Sequence, residues 1–499
     1  MSLPDSVIKP ELDATNAAST VKAGLSGGAV VLAGQAFRLV IEFVGLTVLS
    51  RLLPPEDFGI IAMVMIFIML GETLRDFGMG TVGLQRANLS QQQASNLFWV
   101  NTVFGMVAGV LLAAATPLIV GLYGEPRLYR VIPALALALP LNGMSAQYTI
   151  NLSRRMMFKQ SVVADVLSRL IAVGLAIGGA IIGLGVWALV IQTIAAAALG
   201  LLLRMMAARW VPVRPRRDPT LHSDVKDGAG FGLAGIFQYI ASNADTALIG
   251  INWDATSVGL YDRAFRLLRV PAGSILGPLM QVVIPTLNRA KAEGRSVDEV
   301  LLRLQRLLGF VIVWVFAVTA AIAAWLIPTV LGNEWNDAIP LFQILAIGGA
   351  VQVFSNISYW QFVISNLGKQ LFYYNIITKL LAAALIVIGS FISLRMVALM
   401  ASIGLAVAWP INLIWLAKTA RQDSWQYFRN GIHILAAGVL AYLAGSALMR
   451  LPLGLPAIAQ AVTAALAATV IYVLIVVVRK TARHDLKGFI GQAKLMFQR

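Results

Sequence analysis

The chain has 499 residues, of which 59% are hydrophobic and only 12% are charged, with a mean hydropathy of +0.79. Soluble globular proteins carry about 25% charged residues, so this chain lacks the charge that a water-exposed surface needs. The composition argues against a soluble enzyme, a DNA-binding protein and a disordered chain. It indicates an integral membrane protein.

The net charge is strongly positive, with 39 Lys and Arg against 23 Asp and Glu, a formal balance of +16. Such a balance fits nucleic-acid binding or a membrane protein whose cytoplasmic loops are rich in Lys and Arg, and the apolar composition favours the second. The absence of cysteine excludes disulfides and thiol chemistry. Residues 1–27 contain Asp5, Glu11 and Asp13 and no apolar core. We therefore expect no cleavable signal peptide.

Apolar runs along the chain predict an all-α integral membrane protein of about fourteen transmembrane helices, because a span needs about 20 mostly apolar residues. The short connection at Gly183–Gly185 separates two of them. The predicted spans are residues 28–50, 58–84, 96–122, 129–150, 160–183, 185–206, 228–251, 264–288, 305–331, 338–362, 370–393, 396–417, 431–449 and 456–478.

The distribution of basic residues orients these spans. With the N-terminus inside, the inner segments hold 27 of the 39 Lys and Arg, the outer ends hold 8, and 4 lie within spans. Because cytoplasmic loops carry the excess of Lys and Arg, this bias predicts that both termini are cytoplasmic. It also accounts for the net charge without nucleic acid.

An internal repeat has a period near 200 residues. The segment Leu32-Ala33-Gly34 recurs as Leu233-Ala234-Gly235, and Asp57-Phe58-Gly59-Ile60 is followed by Ser257-Val258-Gly259-Leu260 at almost the same offset. Each unit holds six spans, an even number, so both units keep the same orientation. This is the parallel-repeat arrangement of some transporters, and it predicts two pseudo-symmetric six-helix bundles plus two C-terminal helices.

The predicted domains follow from the spans and the repeat. Prolines 212, 215 and 219 prevent a continuous helix through the basic loop between the lobes. Two lobes and a cytoplasmic tether are what alternating access by rocking requires. The segments are a cytoplasmic N-terminal segment (1–27), an N-lobe (28–206), a basic linker (207–227), a C-lobe (228–419), spans 13 and 14 (420–478), and a basic amphipathic cytoplasmic tail (479–499).

Charged and polar residues lie inside several predicted spans, where each charge costs at least about 2.5–3.5 kcal/mol and needs a partner or water. In the first lobe they share one helix face in each of three spans. These are Gln35, Arg38 and Glu42 in the first span, Glu72, Arg75 and Asp76 in the second, and Asp165 and Arg169 in the fifth. The second lobe adds Asn243 and Asp245 in the seventh span, Arg263, Arg266 and Arg269 in the eighth, and Lys379 in the eleventh.

Two interpretations of these charges remain open. In the first, Arg38, Arg266, Arg269 and Lys379 receive an anionic headgroup in a cavity between the lobes, since a guanidinium binds phosphate through two hydrogen bonds. In the second, the pairs Arg38–Glu42 and Asp165–Arg169 and the Glu72 cluster are salt bridges that hold helices together. The carboxylates offer a further possibility, coupling to a proton or sodium ion, although structural ion pairs explain them as well. The candidates are Glu42, Glu72, Asp76, Asp165 and Asp245.

No cofactor or metal site is expected. The phosphate-binding pattern GxxxxGK[ST] is absent, so we expect no direct use of ATP. The three histidines have no metal-ligand spacing.

Several motifs resemble those of the polysaccharide-transporter flippases, the Wzx-type branch of the multidrug/oligosaccharidyl-lipid/polysaccharide exporter superfamily, and in particular the colanic-acid type. The similarity covers nearly the whole chain. The motifs are Leu53–Phe58–Gly59, Glu72-Thr73-Leu74-Arg75-Asp76-Phe77-Gly78, Gln85-Arg86, Phe98-Trp99-Val100-Asn101, Gly259-Leu260-Tyr261 through Val270-Pro271, and Gly332-Asn333-Glu334-Trp335-Asn336 with Ile339-Pro340.

The resemblance implies fourteen helices in two bundles and a transporter rather than an enzyme. The implied substrate is an undecaprenyl-diphosphate-linked oligosaccharide, moved from the inner to the outer leaflet of a bacterial cytoplasmic membrane for exopolysaccharide, capsule or O-antigen assembly. Cavity cations would meet the diphosphate, which on this chain points to Arg38, Arg269 and Lys379. A polysaccharide polymerase and a chain-length regulator are the implied partners.

Three other functions remain to be weighed. A multidrug or organic-cation antiporter on the same fold would need an acidic, aromatic cavity, whereas the deep cations here favour anions. A membrane enzyme acting on lipid-linked glycans would need a catalytic group on a sizeable outer loop, and the predicted outer loops are short. A scaffold subunit would give no reason for paired charges within the spans.

Overall fold

A computed structural model of the chain describes residues 17–76, 89–216, 236, 239–240, 242–420 and 422–477, with the backbone alone at 17–27, 29, 76 and 269–282. Every regular element longer than one residue in these ranges is a helix. The all-α prediction is confirmed. The predicted tail (479–499) and most of the linker (217–227) lie outside the described residues.

Two compact units divide the chain, the first ending at Gly259 and the second beginning at Leu260. The helices of the first unit are α1 (Ala17–Leu52), α2 (Pro55–Asp76), α3 (Gln91–Ala114), α4 (Thr116–Tyr123), α5 (Leu128–Ala136), α6 (Ala138–Arg154), α7 (Phe158–Ile181), α8 (Val186–Ala208) and α9 (Ala244–Asn252). Helix α10 (Ala255–Ala292) contains the boundary. The second unit continues with α11 (Val297–Ala321), α12 (Ala323–Leu331), a short 3₁₀ turn (Asn333–Trp335), α13 (Ala338–Ile364), α14 (Gly368–Ser390), α15 (Leu394–Thr419), α16 (Ser424–Arg450) and α17 (Ala457–Val477).

The helices agree with the hydropathy pattern. A helix lies in each of the fourteen predicted stretches, and eleven helices in the described part are long and apolar enough to cross a membrane. The number fourteen and the cytoplasmic termini remain predictions. The separation at Gly183–Gly185 is present, because both glycines have positive φ (81° and 55°) and the chain turns between α7 and α8.

Proline explains two of the breaks between consecutive helices. The third predicted span is interrupted after Ala114 and the fourth after Ala136. Pro117 and Pro140 lie in the first turns of the helices that follow, and neither can donate a backbone hydrogen bond to the carbonyl four residues before it. Each interruption therefore begins a new helix without adding a long loop.

Several local features occur at corresponding places along the two units. The break between α3 and α4 at residue 115 has a counterpart between α11 and α12 at residue 322. The left-handed residue Met156, which precedes α7, has a counterpart in Asn366, which precedes α14 (φ 53° and 55°). These correspondences agree with the predicted repeat. The division into lobes and linker remains a prediction.

The second unit contains its own core, and the last two helices pack against α11. Trp314 Nε1 donates a hydrogen bond to Thr469 Oγ1 at 3.0 Å, and the Tyr472 hydroxyl donates to the carbonyl of Phe310 at 2.9 Å. Gln305 Nε2 donates to the carbonyl of Tyr427 at 3.1 Å. Helices α16 and α17 are thus bound to the second unit through groups that would otherwise be buried without partners.

Within the first unit, the beginnings of α2 and α10 cross in backbone contact. A Cβ atom placed on Gly59 would lie 1.6 Å from the carbonyl oxygen of Ala255, and one on Gly259 would lie 1.9 Å from the carbonyl oxygen of Pro55. Residues 55 and 255, like 59 and 259, are equivalent in the repeat. Gly59 and Gly259, which the repeat predicts as equivalent, therefore allow the same close approach. Each glycine lies against the backbone of the helix that contains the other.

A charge cluster joins the beginning of α2 to the loop between α4 and α5. Arg127 Nε lies 2.8 Å from Glu125 Oε1, and the same guanidinium also binds Glu56. The hydrogen bond from Arg127 lowers the pKa of Glu125 below its usual 4.5, and the same bond raises the pKa of Arg127. One arginine thus binds a carboxylate from each of two segments.

We expect Gly59→Ala to lower the free energy of unfolding by about 1–3 kcal/mol, because the added methyl group overlaps a backbone carbonyl that cannot rotate away. The measurement is thermal or denaturant unfolding of the purified protein in detergent. Gly174→Ala is the matched control, since a Cβ at Gly174 meets nothing within 4 Å. Equal stability of the two variants would contradict the crossing.

We expect Glu125→Gln to be less stable than the parent protein at pH 7, by no more than about 1 kcal/mol because the pair is partly exposed. A carboxylate whose pKa is lowered in the folded state stabilises the fold above its unfolded pKa and loses this effect as the pH falls through the folded pKa. The difference between the two proteins should therefore vanish as the pH falls below 4.5. Glu334→Gln, which removes an exposed carboxylate, should show no such difference at either pH.

Candidate functional site

Glu42 is the acceptor for two arginines in the middle of the first unit. Arg38, one turn earlier on α1, donates from Nε at 2.9 Å to Glu42 Oε1, and Arg169 on α7 donates from Nη1 to the same oxygen at 3.2 Å. Each side chain is about one-third to two-fifths exposed in the isolated protein. Helices α1 and α7 are therefore joined by one carboxylate shared between two guanidinium groups.

A second ionic contact lies on the adjoining face of α7. Asp165 binds Arg204, which comes from the penultimate turn of α8, and Arg204 Nη1 also donates to Ser145 Oγ on α6 at 2.9 Å. Arg204 is the more buried partner, with 19% of its side chain exposed. This arginine therefore connects three helices.

The pairing differs from the one predicted from the sequence. Asp165 and Arg169 stand one turn apart on α7, which predicts a salt bridge between them, but each binds a residue from another helix. Arg204 was counted among the inner basic residues although the predicted span 185–206 contains it, and α8 extends beyond it to Ala208. The predicted salt bridge was wrong because periodicity along one helix carries no information about charges on its neighbours.

A cavity of about 290 Å³ borders this network. Its polar lining comes from Gln35, Arg38, Ser153, Ser161 and Asp165. The apolar part of the wall includes Val31, Phe158 and Val166. The cavity thus joins Arg38 of the first ionic contact to Asp165 of the second, and its volume is near the lower end of the roughly 300–1,000 Å³ typical of ligand pockets.

The network has an excess of positive charge. Arg38, Arg169 and Arg204 stand against the two carboxylates Glu42 and Asp165. A group with one net positive charge in helices of this hydropathy attracts anions and disfavours cations. We call these five residues the first-unit charge network.

The other predicted residues of the first lobe have separate surroundings. Glu72 on α2 accepts a hydrogen bond from Asn142 on α6. Nε and Nη1 of Arg75 are buried without a hydrogen-bond partner among the described side chains. The Asp76 side chain lies outside the described residues, so the predicted Glu72–Arg75–Asp76 cluster remains a prediction.

The predicted residues of the seventh span onwards lie at separate points along the chain. Asp245 is 7% exposed in the first turn of α9, and its Oδ1 accepts the backbone N–H of Thr246 at 2.8 Å, which suits a carboxylate at a helix N-terminus. Arg266 on α10 binds Asp262 one turn earlier at 2.8 Å. Lys379 is half-buried on α14. The Arg269 side chain lies outside the described residues.

Sequence analysis missed two contributors to the first unit. Ser145 and Asn142 are ordinary polar residues of the fourth predicted span, yet they bind Arg204 and Glu72 respectively. A signal was available for Arg204, since it is a basic residue flanked by Leu201–Leu203 and Met205–Met206. Among the described side chains, no group of three His, Cys, Asp or Glu could hold a metal ion.

Comparison with known families identifies the group to which the chain belongs. The family described as "Polysaccharide biosynthesis protein" matches residues 48–340, more than half of the chain. The chain belongs to this family.

Three curated relatives carry related names. The chain is 25% identical over 289 residues to the teichuronic acid biosynthesis protein TuaB of Bacillus subtilis, covering 56% of this chain and 59% of the relative. It is 22% identical to the lipopolysaccharide biosynthesis protein WzxC of Escherichia coli (63% and 64% covered) and to the succinoglycan biosynthesis transport protein ExoT of Rhizobium meliloti (62% and 63%). The matches span about three-fifths of each relative. None of these three is named as an enzyme, in agreement with the prediction.

Solved structures show the same fold at low sequence identity. The lipid II flippase MurJ in an inward closed conformation aligns over 90% of this chain and 98% of its own, with a TM-score of 0.69 and 12% identity. An inward-facing multidrug resistance MATE transporter aligns over 81% and 96%, with a TM-score of 0.56 and 14% identity. Together with the family and the relatives, these similarities confirm the predicted resemblance to polysaccharide transporters.

We expect Arg204→Leu to destabilise the protein by about 1.5–3 kcal/mol, because Asp165 and Ser145 both lose a charge-assisted hydrogen bond. The double variant Arg204→Leu with Asp165→Leu should recover part of the loss, since no unpaired carboxylate remains. Thermal unfolding in detergent measures both effects. Lys159→Leu, which removes an exposed charge from α7, is the control and should change stability little. A double variant as unstable as the single one would argue against the pair.

Proposed function

We propose that the chain is a flippase that moves undecaprenyl-diphosphate-linked oligosaccharide units from the inner to the outer leaflet of the bacterial cytoplasmic membrane, for exopolysaccharide, capsule or O-antigen assembly. Family membership supports a role in polysaccharide biosynthesis. The name of ExoT and the fold shared with the lipid II flippase support transport of a lipid-linked precursor.

The observation that carries the proposal is the first-unit charge network beside the cavity. An anionic diphosphate needs hydrogen-bond donors of positive charge, and Arg38 reaches the cavity while the network as a whole keeps a positive excess. Arg266, Arg269 and Lys379 are the proposed cations of the second lobe.

The physical task of such a flippase is to replace water around a polar headgroup. Each sugar hydroxyl costs free energy when it leaves water without a hydrogen-bond partner, so unassisted flipping is slow. The cavity offers amide, hydroxyl, carboxylate and guanidinium groups within one wall. In our proposal the headgroup passes through a polar path while the polyprenyl chain stays in lipid, and the lobes alternate access between the two sides.

Coupling to a proton or sodium ion would require a carboxylate that exchanges its partner. Glu42 and Asp165 both hold arginines and both belong to the network. Glu72, Asp76 and Asp245 are the other proposed candidates. A polymerase and a chain-length regulator are the proposed protein partners.

The second candidate function is a multidrug or organic-cation antiporter, which the fold shared with MATE transporters supports. The positive excess of the network disfavours it, because a cationic substrate would be repelled where an anionic one is attracted. Uptake of a cationic dye into proteoliposomes discriminates between the two functions.

We expect Arg38→Gln and Arg269→Ala each to slow flipping of an undecaprenyl-diphosphate-linked oligosaccharide about tenfold or more, which corresponds to losing one charged hydrogen bond. The assay measures how fast a lectin outside the proteoliposomes gains access to the sugar. In Arg38→Gln, Glu42 keeps its bond from Arg169, so the fold should survive.

The matched control is Arg395→Gln, which removes an exposed positive charge at a predicted outer end and should leave flipping unchanged. All variants are first compared by size-exclusion profile and thermal unfolding. Full activity of both Arg38→Gln and Arg269→Ala would remove these residues from the mechanism. Dye transport without oligosaccharide flipping would replace the proposal with the antiporter.

A further inference from the structure

The first residues of the predicted linker lie along α3 as an extended segment. We call residues 210–216 the strap. Five side chains of α3 bind its backbone or side chains: Gln91, Gln92, Ser95, Asn96 and Trp99. Four α3 side chains donate to strap carbonyls: Gln91 Nε2 to Val211 O (2.9 Å), Trp99 Nε1 to Val213 O (2.9 Å), Gln92 Nε2 to Arg214 O (3.0 Å) and Asn96 Nδ2 to Arg216 O (2.9 Å). Two strap N–H groups donate in return: Val213 N to Ser95 Oγ (3.0 Å) and Arg216 N to Asn96 Oδ1 (3.1 Å).

Trp210 anchors the strap. Its side chain is 5% exposed and packs edge-on against Phe98 and Tyr148, with ring centroids 6.0 and 5.5 Å away. Its Nε1 donates to Gln91 Oε1 at 2.6 Å. The strap is therefore a fixed part of the first unit rather than a loose connection.

The chain reaches this position by reversing at Arg209. Arg209 caps α8 with φ 45° and ψ 43°, a left-handed conformation in which glycine or asparagine is usual. An arginine here strains the backbone and gains nothing locally, since its side chain is exposed. The turn at Arg209 is therefore less stable than the same turn with glycine would be.

The outer face of the strap is basic and apolar. Arg209, Arg214 and Arg216 are exposed, and none is in an ion pair among the described residues. Val211 and Val213 are 75% and 41% exposed. The first turn of α3 beneath them contains no acidic residue. Nothing near the strap in the described structure therefore neutralises the three guanidinium groups.

The strap follows α8, a candidate membrane span, and we therefore expect it to lie at the level of the lipid headgroups. An extended backbone is tolerated near hydrocarbon only if its polar groups have partners. Here the α3 side chains bind six of the twelve backbone N–H and C=O groups of residues 210–216, and Pro212 and Pro215 have no N–H to satisfy.

We propose that the strap is a binding site for anionic phospholipid, with Arg209, Arg214 and Arg216 on the phosphate and glycerol headgroup and Val211 and Val213 against the acyl chains. Positive side chains at the membrane surface each add to the attraction for anionic lipid. The site does not depend on the transported substrate.

The test is native mass spectrometry of the full-length protein in detergent, titrated with dioleoyl phosphatidylglycerol or dioleoyl phosphatidylcholine. The variant Arg209→Gln, Arg214→Gln and Arg216→Gln should bind phosphatidylglycerol at least about tenfold more weakly. Binding of phosphatidylcholine should not change.

A matched triple variant, Arg303→Gln, Lys369→Gln and Lys418→Gln, removes three other exposed charges from the same predicted side. It should retain phosphatidylglycerol binding. Equal loss in both triple variants would show attraction by overall charge and would overturn the site. Displacement of the lipid by millimolar inorganic phosphate would assign the arginines to a free anion instead.

Two single variants separate lipid binding from a structural role. Arg209→Gly should raise thermal stability, because glycine adopts the left-handed conformation without strain, while it weakens phosphatidylglycerol binding. Trp99→Phe removes the bond to Val213 and should weaken lipid binding with all three arginines present. Unchanged lipid binding in Arg209→Gly and Trp99→Phe would reduce the strap to a structural element.

Discussion

The need to pair ionised side chains inside apolar helices organises the first unit. Glu42 and Asp165 are the only two carboxylates in the charge network defined above, and between them they hold three arginines from α1, α7 and α8. Because an unpaired charge in hydrocarbon costs several kcal/mol, these contacts restrict which helix faces can meet. The same restriction leaves a polar wall beside them, and the cavity at Arg38 and Asp165 is its consequence. An ion pair does not remove Arg38 from the cavity, since the residue both binds Glu42 and lines the cavity.

The fold alone does not select a substrate, because a lipid II flippase and a multidrug transporter both share it. The two charged residues that line the cavity, Arg38 and Asp165, balance each other, so a preference for anions over cations depends on the charge network as a whole. A carboxylate that holds one arginine is neutral toward a ligand, whereas Glu42 holds two and leaves one charge over. The excess belongs to the three arginines together, since removing any one of them would leave two arginines and two carboxylates. The predicted Asp165–Arg169 pair is neutral and would show no such excess.

Hydropathy predicted the helices well because the pattern is local: each span needs only its own run of apolar residues. The repeat predicted that Gly59 and Gly259 are equivalent, but the sequence does not show that the backbones of their two helices touch. Contacts between helices were beyond the sequence for the same reason. Arg204 lies near the inner end of its predicted span, where a basic residue is usual, and Ser145 carries no pattern at all. The strap was predicted only as a proline-interrupted loop; its hydrogen bonds depend on Gln91, Ser95 and Asn96, which lie more than a hundred residues earlier.

In the proposed alternating access, each lobe would have to move as a rigid body, so hydrogen bonds between helices of one lobe matter as much as the site. Arg155 Nη1 donates to the carbonyl of Ala208 at 2.9 Å, which fastens the end of α8 to the end of α6. Arg204 joins the same two helices to α7, and the strap then continues from α8 onto α3. Four helices are thus connected at the end of the first unit where the linker leaves. Motion transmitted through the linker would act on this connected group as one body, because no single helix can follow the strap without breaking several hydrogen bonds.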